Sequence, residues 1–287
     1  MLKYLKLIRI KHWIKNTFIF IPLFFSSLLF NQLKFFDVTF VALGFCLVTG
    51  FIYIFNDILD LEFDKKHPKK KFRPIAANII TIRIALLIGL LILSIGLLMI
   101  FYIDINSFFL TLFYVIMNLL YSYKLKKIPI LDFIIVSIGF VIRLFIGSEV
   151  SEVVLSEWII IMVFLLSLFI SIAKRRDDSI ALKKTKRLNR EVIKQYSVPF
   201  LDNIMSIVAS ILLVCYLMFV TDDSVVAKYD SNLIYLTFLF VLIGIFRYTQ
   251  LSIVYKISGS PVQILYSDFF IQMTLFLWVL CFYVIIY

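Results

Sequence analysis

The sequence predicts an all-α, polytopic membrane protein of about nine transmembrane helices, and three observations carry that reading. Of its 287 residues, 62% are hydrophobic and only 16% charged, where a soluble domain carries about 25% charged and 45–50% apolar residues. The mean hydropathy is +1.02. Apolar runs of spanning length recur between polar breaks along the chain. At ~20 residues per span plus a short connection, this length allows roughly eight to ten helices and no large soluble domain. A single integral-membrane domain over 1–287 is therefore expected.

Taken in order, residues 1–16 set Lys3, Lys6, Arg9, Lys11 and Lys15 among Leu, Ile and Trp13. That pattern fits an interfacial helix at headgroup level or a plain positive flank of the first span. The first apolar run, 17–31, is short and contains Pro22; Lys34 precedes the second, 36–58. A basic stretch over 59–83 leads into 79–103, and 106–123 follows. Lys124, Lys126 and Lys127 separate it from 129–147, and Glu149, Glu152 and Glu157 lead into 156–173. The long basic connection 174–200 precedes 203–221; Asp222, Asp223 and Lys228 precede 231–253, and 266–287 closes the series.

The charge is lopsided: 29 Lys and Arg against 18 Asp and Glu, a net +11. Sorted by connection, the N-terminus carries 5 bases, 59–83 carries 7, 124–128 carries 3 and 174–200 carries 9, while the alternate connections hold only Lys34 and Lys228. The positive-inside rule then places the N-terminus and the even connections in the cytoplasm and, with nine spans, the C-terminus outside, in an inner (cell) membrane of bacterial type. This absorbs most of the excess charge, so no nucleic-acid partner is expected. Cys46, Cys215 and Cys281 lie singly in apolar runs and suggest neither a disulfide framework nor a CxxC site. His12 and His67 are too few for a zinc-type cluster. The basic N-terminus runs into an apolar stretch without a small-residue cleavage site and is expected to be retained.

The chemistry gathers on the basic side. Asp57, Asp60 and Asp64 follow the second span, and at ~100° per residue they share a helical arc of roughly 60°. Carboxylates packed on one face repel unless a cation is present, which points to Mg²⁺ or a similar hard cation completed by phosphate oxygens and water. A cationic loop follows, Lys65, Lys66, His67, Lys69, Lys70, Lys71 and Arg73, bounded by Pro68 and Pro74. Acids for a metal beside bases for phosphates imply a diphosphate-bearing ligand; the bases also serve topology. A second cluster holds Tyr121, Lys126 and Asp132. Arg143 stands about 20° off the face of Asp132, three turns deeper, a candidate site group or one half of a buried ion pair. Lys174 and Arg175, and Arg247 near Asp268, complete the charged helix ends. A ring of helices around one cavity open to the cytoplasm would accommodate all of them.

The stretch NDILDLEFDKKHPKKKFRPIAAN over 56–78 resembles the aspartate-rich motif of the UbiA superfamily of intramembrane prenyltransferases. It is most similar to the polyprenyl-phosphate phosphoribosyltransferase branch, with its NDxxDxxxDxxHPxKxxRPIA pattern. Asn56, Asp57, Asp60, Asp64, His67, Pro68, Lys70 and Arg73 through Ala76 match it. So do WIKN at 13–16, which includes Lys15, YSYKLKKIPILDFIIVSIGFVIR at 121–143, KRR at 174–176, YSVPFLDNI at 196–204 and FRYTQLSIVYKISGSPVQILYSD at 246–268. Where the family often has Gly after RPIAA, this chain has Asn78.

The resemblance implies phosphoribosyl pyrophosphate as donor and a polyprenyl phosphate as acceptor, because the second DxxxD motif of the aromatic prenyltransferases is here the single Asp132. It implies Mg²⁺ on Asp57, Asp60 and Asp64, with Lys70, Arg73 and Lys126 on phosphate oxygens and Asn56 orienting a ligand or the ribose. Asp132 would take a second Mg²⁺ or a ribose hydroxyl. Arg143, Lys174, Arg175 and Arg247 would draw in the lipid phosphate, and His67, Tyr121 and Lys15 would line the site. The product would serve cell-envelope polysaccharide synthesis, and a homo-oligomer is compatible with the resemblance. The alternatives are an aromatic or quinone-precursor prenyltransferase and, in another class, a membrane transporter.

Overall fold

A computed structural model describes residues 2–68, 70–185, 191–255, 264 and 266–287. Among them every regular element is a helix. Lys69, Lys186, Arg187, Arg190 and residues 256–263 of the last matching stretch lie outside the described residues.

The helices are α1 (Leu2–Leu7), α2 (Ile21–Phe25), α3 (Gln32–Leu59), α4 (Leu61–Lys66), α5 (Ile82–Ile103), α6 (Ile105–Tyr123), α7 (Leu131–Ser151), α8 (Glu157–Thr185), α9 (Val198–Thr221), α10 (Asp223–Tyr229), α11 (Thr237–Ile253) and α12 (Phe269–Ile286). The polar breaks between apolar runs act as helix caps. Asn31, Thr81, Asp104, Ser197 and Asp268 each accept a hydrogen bond from a backbone N–H of the first turn of α3, α5, α6, α9 and α12, satisfying donors that a helix start leaves open. Eight helices among the described residues are long and apolar enough to cross a membrane, so this is a multi-pass membrane protein.

The segment expected to cross first differs from its sequence reading. In place of one α-helix over 17–31, a 3-10 helix of 11 residues, Ile10–Phe20, runs directly into the 5 residues of α2. At about 2.0 Å per 3-10 residue and 1.5 Å per α residue, this segment extends ~30 Å, close to the thickness of a bilayer core. The polar run after the sixth predicted span does not end that helix either: α8 continues to Thr185, its charged turn closed by Arg175 on Asp178 at i, i+3.

The chain divides into two compact units, Met1–Leu155 and Ser156–Tyr287. In the first, Ile19, Leu23, Phe45, Val48, Ile100 and Ile146 are fully buried in one apolar cluster. Two glycine contacts set its tightness. A Cβ on Gly96 of α5 would stand 2.5 Å from the Gly44 carbonyl oxygen of α3, and one on Gly147 of α7 would stand 2.0 Å from the Ile19 carbonyl oxygen. Backbone meets backbone at both places, as small residues allow between membrane helices. In the second unit, Trp278 of α12 donates to the Tyr216 hydroxyl of α9 at 2.7 Å, which pairs with Thr237 of α11 at 2.8 Å. Arg176 of α8 is buried against Asp202 of α9 and donates to the Ser252 carbonyl of α11 at 2.8 Å.

Candidate active site

The site is built on the end of α3. Asn56 and Asp57 occupy its last turn, and the helix breaks at Asp60, whose ψ of 9° leaves the helical range before α4 begins. The Asp64 N–H still reaches the Asp60 carbonyl at 2.8 Å, so the two short stretches keep nearly helical register. Asp57 and Asp64 therefore fall together: both are buried, and both accept from one nitrogen, Arg73 Nη1, with Asp57 Oδ1 at 3.0 Å. Asp57 Oδ1 also accepts from Arg9 Nη2.

Asp60 goes elsewhere. Its carboxylate pairs with Lys126 Nζ at 2.5 Å and accepts from Asn56 Nδ2 at 3.0 Å, while Lys126 also donates to Asn56 Oδ1 at 3.3 Å. The sequence puts all three acids on one face, whereas the folded chain divides them two and one. The break at Asp60 and the arrival of Lys126 from the α6–α7 connection are the cause. Among the described residues no group of three His, Cys, Asp or Glu side chains converges as a metal cluster. The donor set nevertheless suits a hard cation: the oxygens of Asp57 and Asp64 converge on one point of positive charge, now Arg73 Nη1. Mg²⁺ is characteristically held by one or two carboxylates, with phosphate oxygens and water completing the octahedron.

The loop that carries Arg73 is folded by its own residues. His67 Nδ1 accepts from the Lys70 N–H at 3.1 Å, so both matching residues enter the loop through this turn. The Arg73 N–H reaches the Lys70 carbonyl at 2.9 Å, and the Pro74 carbonyl accepts from Ile79 and Ile80. Asn78 takes a positive φ of 56°, the left-handed conformation that Asn tolerates best after Gly, so the turn survives the loss of the family's glycine.

The second cluster sits beside the first through Lys126. Asp132 is fully buried in the first turn of α7, and its carbonyl accepts from the Tyr121 hydroxyl at 3.1 Å. Ile130, just before it, holds φ at 70°, an uncommon conformation for a β-branched residue that marks a held, strained turn.

Arg143 is bound differently from its sequence reading. Its Nε donates to Asn16 Oδ1 at 2.9 Å, Nη1 to the Gly139 carbonyl at 2.6 Å and Nη2 to the Tyr114 hydroxyl at 2.9 Å. Its guanidinium lies 4.9–5.3 Å from the rings of Tyr114, Phe45 and Phe140. Neutral oxygens and aromatic faces hold the charge, and the residue ties the first segment to α6 and α7. Asn16 completes this node by donating to Thr49 at 3.3 Å, with Lys15 partly buried beside it.

In the second unit, Arg175 pairs with Asp178 at 3.0 Å and Lys174 is exposed. Arg247 grips both oxygens of Asp268, at 2.7 and 3.4 Å, fastening α11 to the start of α12.

Sequence reasoning missed two residues, Arg9 and Asn16. Arg9 counts there only as topological charge, yet it holds Asp57, lies 4.8 Å from the Tyr53 ring and takes φ 52°, ψ 51°. Its partner is 48 residues away, so no local pattern announces it. Asn16 belongs to the matching WIKN stretch, the one signal that marks it.

The sequence model of the UbiA prenyltransferase family matches residues 19–283. A decaprenyl-phosphate phosphoribosyltransferase of Corynebacterium glutamicum is 28% identical over 287 residues, covering 99% of this chain and 86% of that protein. A protein of the same name from Mycolicibacterium smegmatis is 29% identical over 249 residues, 85% of this chain and 77% of the other. Among solved structures, a UbiA homolog from Archaeoglobus fulgidus bound to GPP and Mg²⁺ superposes with a TM-score of 0.75 at 20% identity, covering 99% of both chains. An apo UbiA homolog from Aeropyrum pernix gives 0.70 at 14% identity, over 94% of this chain and 98% of the other. At these identities the structural likeness shows the fold.

Proposed function

The chain belongs to the UbiA prenyltransferase family, and from that premise we propose that it transfers a 5-phosphoribosyl group from phosphoribosyl pyrophosphate to a polyprenyl phosphate, releasing pyrophosphate. The chain is thus a transferase, and the transport reading falls away. The observation that carries the specific reaction is the near full-length similarity to decaprenyl-phosphate phosphoribosyltransferases. The paired carboxylates set against arginine are the arrangement this chemistry needs.

An oxygen of the lipid phosphate attacks C1 of the ribose as the bond from C1 to the diphosphate oxygen breaks, and the electron pair leaves with pyrophosphate. A phosphate monoester has its second pKa near ~6 and is largely ionised at neutral pH, so no general base is required. Asp57 and Asp64, assisted by Asp60, would hold Mg²⁺, which when bound would supply charge neutralisation for the leaving diphosphate. Arg73, held by Asp57 and Asp64 through Nη1 alone, would offer its remaining N–H donors to phosphate oxygens as the donor binds. Lys126 takes a further oxygen, with Asn56 fixing its ammonium. Asp132, at the start of α7, would accept from a ribose hydroxyl or hold a second cation. The basic count of the connections supports a cytoplasmic approach for the donor.

The test is incubation of membranes containing the protein with ribose-labelled phosphoribosyl pyrophosphate, with and without EDTA, followed by lipid extraction. Label is expected in the organic phase only without EDTA. Label confined to the aqueous phase, with prenyl diphosphate consumed against an aromatic acid, would establish the aromatic prenyltransferase instead.

A further inference from the structure

Beside the carboxylates, the first unit holds a cavity of about 330 Å³ lined by Lys6, Arg9, His12, Phe72, Arg73 and Pro74. This is within the usual ~300–1,000 Å³ range of small-molecule sites. Among the described residues its polar lining is entirely basic, with no carboxylate in it. Arg9 and Arg73 touch both regions: on one side they hold Asp57 and Asp64, on the other they line the cavity. The carboxylates engage one nitrogen of each, Nη2 of Arg9 and Nη1 of Arg73. A guanidinium has five N–H donors in a fixed fork, so both arginines keep donors for a ligand while the acids fix their orientation from behind.

Arg9 and His12 are also positioned from α3. Tyr53 and Asp57 stand one turn apart on α3 and jointly hold Arg9, with the guanidinium 4.8 Å from the Tyr53 ring; the His12 ring packs 5.6 Å from the same tyrosine. The left-handed backbone of Arg9 is a conformation that non-glycine residues keep only where their surroundings hold it. Two oriented guanidiniums beside Lys6 and His12, in an open pocket whose described lining residues include no acid, are a receptor for a compact dianion.

We propose that this cavity is a phosphate-monoester subsite, with Lys6, Arg9, His12 and Arg73 as its binding groups. The inference rests on the phosphoribosyl-transfer reading, in which both substrates end in such a group: the 5-phosphate of the donor and the phosphate of the lipid. Arg73, shared with the carboxylates, would couple occupation of the subsite to the reacting centre.

The experiment is calorimetric titration of the purified full-length protein in detergent with ribose 5-phosphate, ribose and geranyl phosphate. It compares wild type with Lys6→Ala, Lys6→Arg and the double variant Lys6→Ala, His12→Gln. Lys6 is exposed, so its removal leaves the fold intact. Wild type is expected to bind a phosphate and not ribose, with affinity about fivefold weaker in Lys6→Ala and restored in Lys6→Arg. A loss confined to ribose 5-phosphate assigns the subsite to the donor, and a loss confined to geranyl phosphate assigns it to the lipid. If neither phosphate weakens more than twofold in the double variant, the subsite is refuted. Phosphoribosyl transfer is measured separately in the same preparations. Its absence alongside Lys6-dependent phosphate binding refutes the reaction and leaves the subsite standing; normal transfer with unchanged binding refutes the subsite alone.

Discussion

Replacing Arg73 by Met separates what this residue does for the fold from what it does for the reaction. Asp57 and Asp64 are 3% and 2% exposed, and Arg73 contacts both. Without it Asp57 keeps Arg9, and Asp64 loses its guanidinium partner. Breaking a buried pair by removing one partner costs about 3–5 kcal/mol. Because the Arg73 side chain is itself 24% exposed, water offsets part of this, and we expect the lower end, about 3 kcal/mol, or roughly 6–12 °C in Tm. Adding Asp64→Asn removes the buried charge and leaves a neutral amide, whose unmet hydrogen bonds cost about 1–2 kcal/mol. The double variant should therefore be more stable than Arg73→Met alone. Activity should not follow: each variant loses a charged contact to the leaving group, and turnover is expected to fall about 100-fold or more in both. Thermal unfolding in one detergent and lipid-phase label counting measure the two quantities. A double variant no more stable than the single one refutes the ion-pair argument, and recovery of turnover with stability removes Arg73 from substrate binding.

Gly147→Ala should cost about 1–3 kcal/mol, because its methyl would stand 2.0 Å from the Ile19 carbonyl oxygen; an unchanged Tm would deny the close approach. Asn16→Ala leaves the Arg143 Nε without its acceptor and should cost about 1.5–3 kcal/mol, read as a lower unfolding midpoint. The Arg247 guanidinium beside Asp268 holds that carboxyl below the usual carboxylate range. The pair's contribution is therefore complete above the unfolded value of about 3.9 and is lost as pH falls through the lower folded value. Asp268→Asn should be less stable than wild type at pH 7, with the gap closing only below about pH 4; a gap that does not change with pH would remove the pair from the balance.

Much of the fold is legible in the sequence because its determinants are local. Apolar runs of spanning length become α3, α5 to α9, α11 and α12, and polar breaks such as Asn31, Thr81 and Asp104 become their caps. Connections assigned to one side by their charge also meet in space: Lys34 pairs with Glu152 at 2.8 Å, while Arg9, Asp57, Arg73 and Lys126 gather around the end of α3. The first segment resists this reading because composition cannot distinguish a 3-10 helix from an α-helix. The choice is made by packing against α7, where Gly147 admits the Ile19 backbone.

The site is legible in its residue types and not in its pairings. Spacing places Asp57 and Asp64 together, as found, and it also places Asp60 with them because it assumes an unbroken helix. The break at Asp60 and the Lys126 that captures it, 66 residues away, are tertiary facts. Arg143 illustrates the same limit. Helical geometry correctly makes it a buried cation, but nothing local says that an asparagine 127 residues earlier will hold it in place of an acid. Charge counting also treats each base as interchangeable, since one positive charge serves topology as well as another. In the folded chain Arg9 and Arg73 are distinguished from the other bases by the acids they hold. Arg9 and Arg73, which the positive-inside rule counts only as topological charge, are therefore also the bases that keep two buried carboxylates in place.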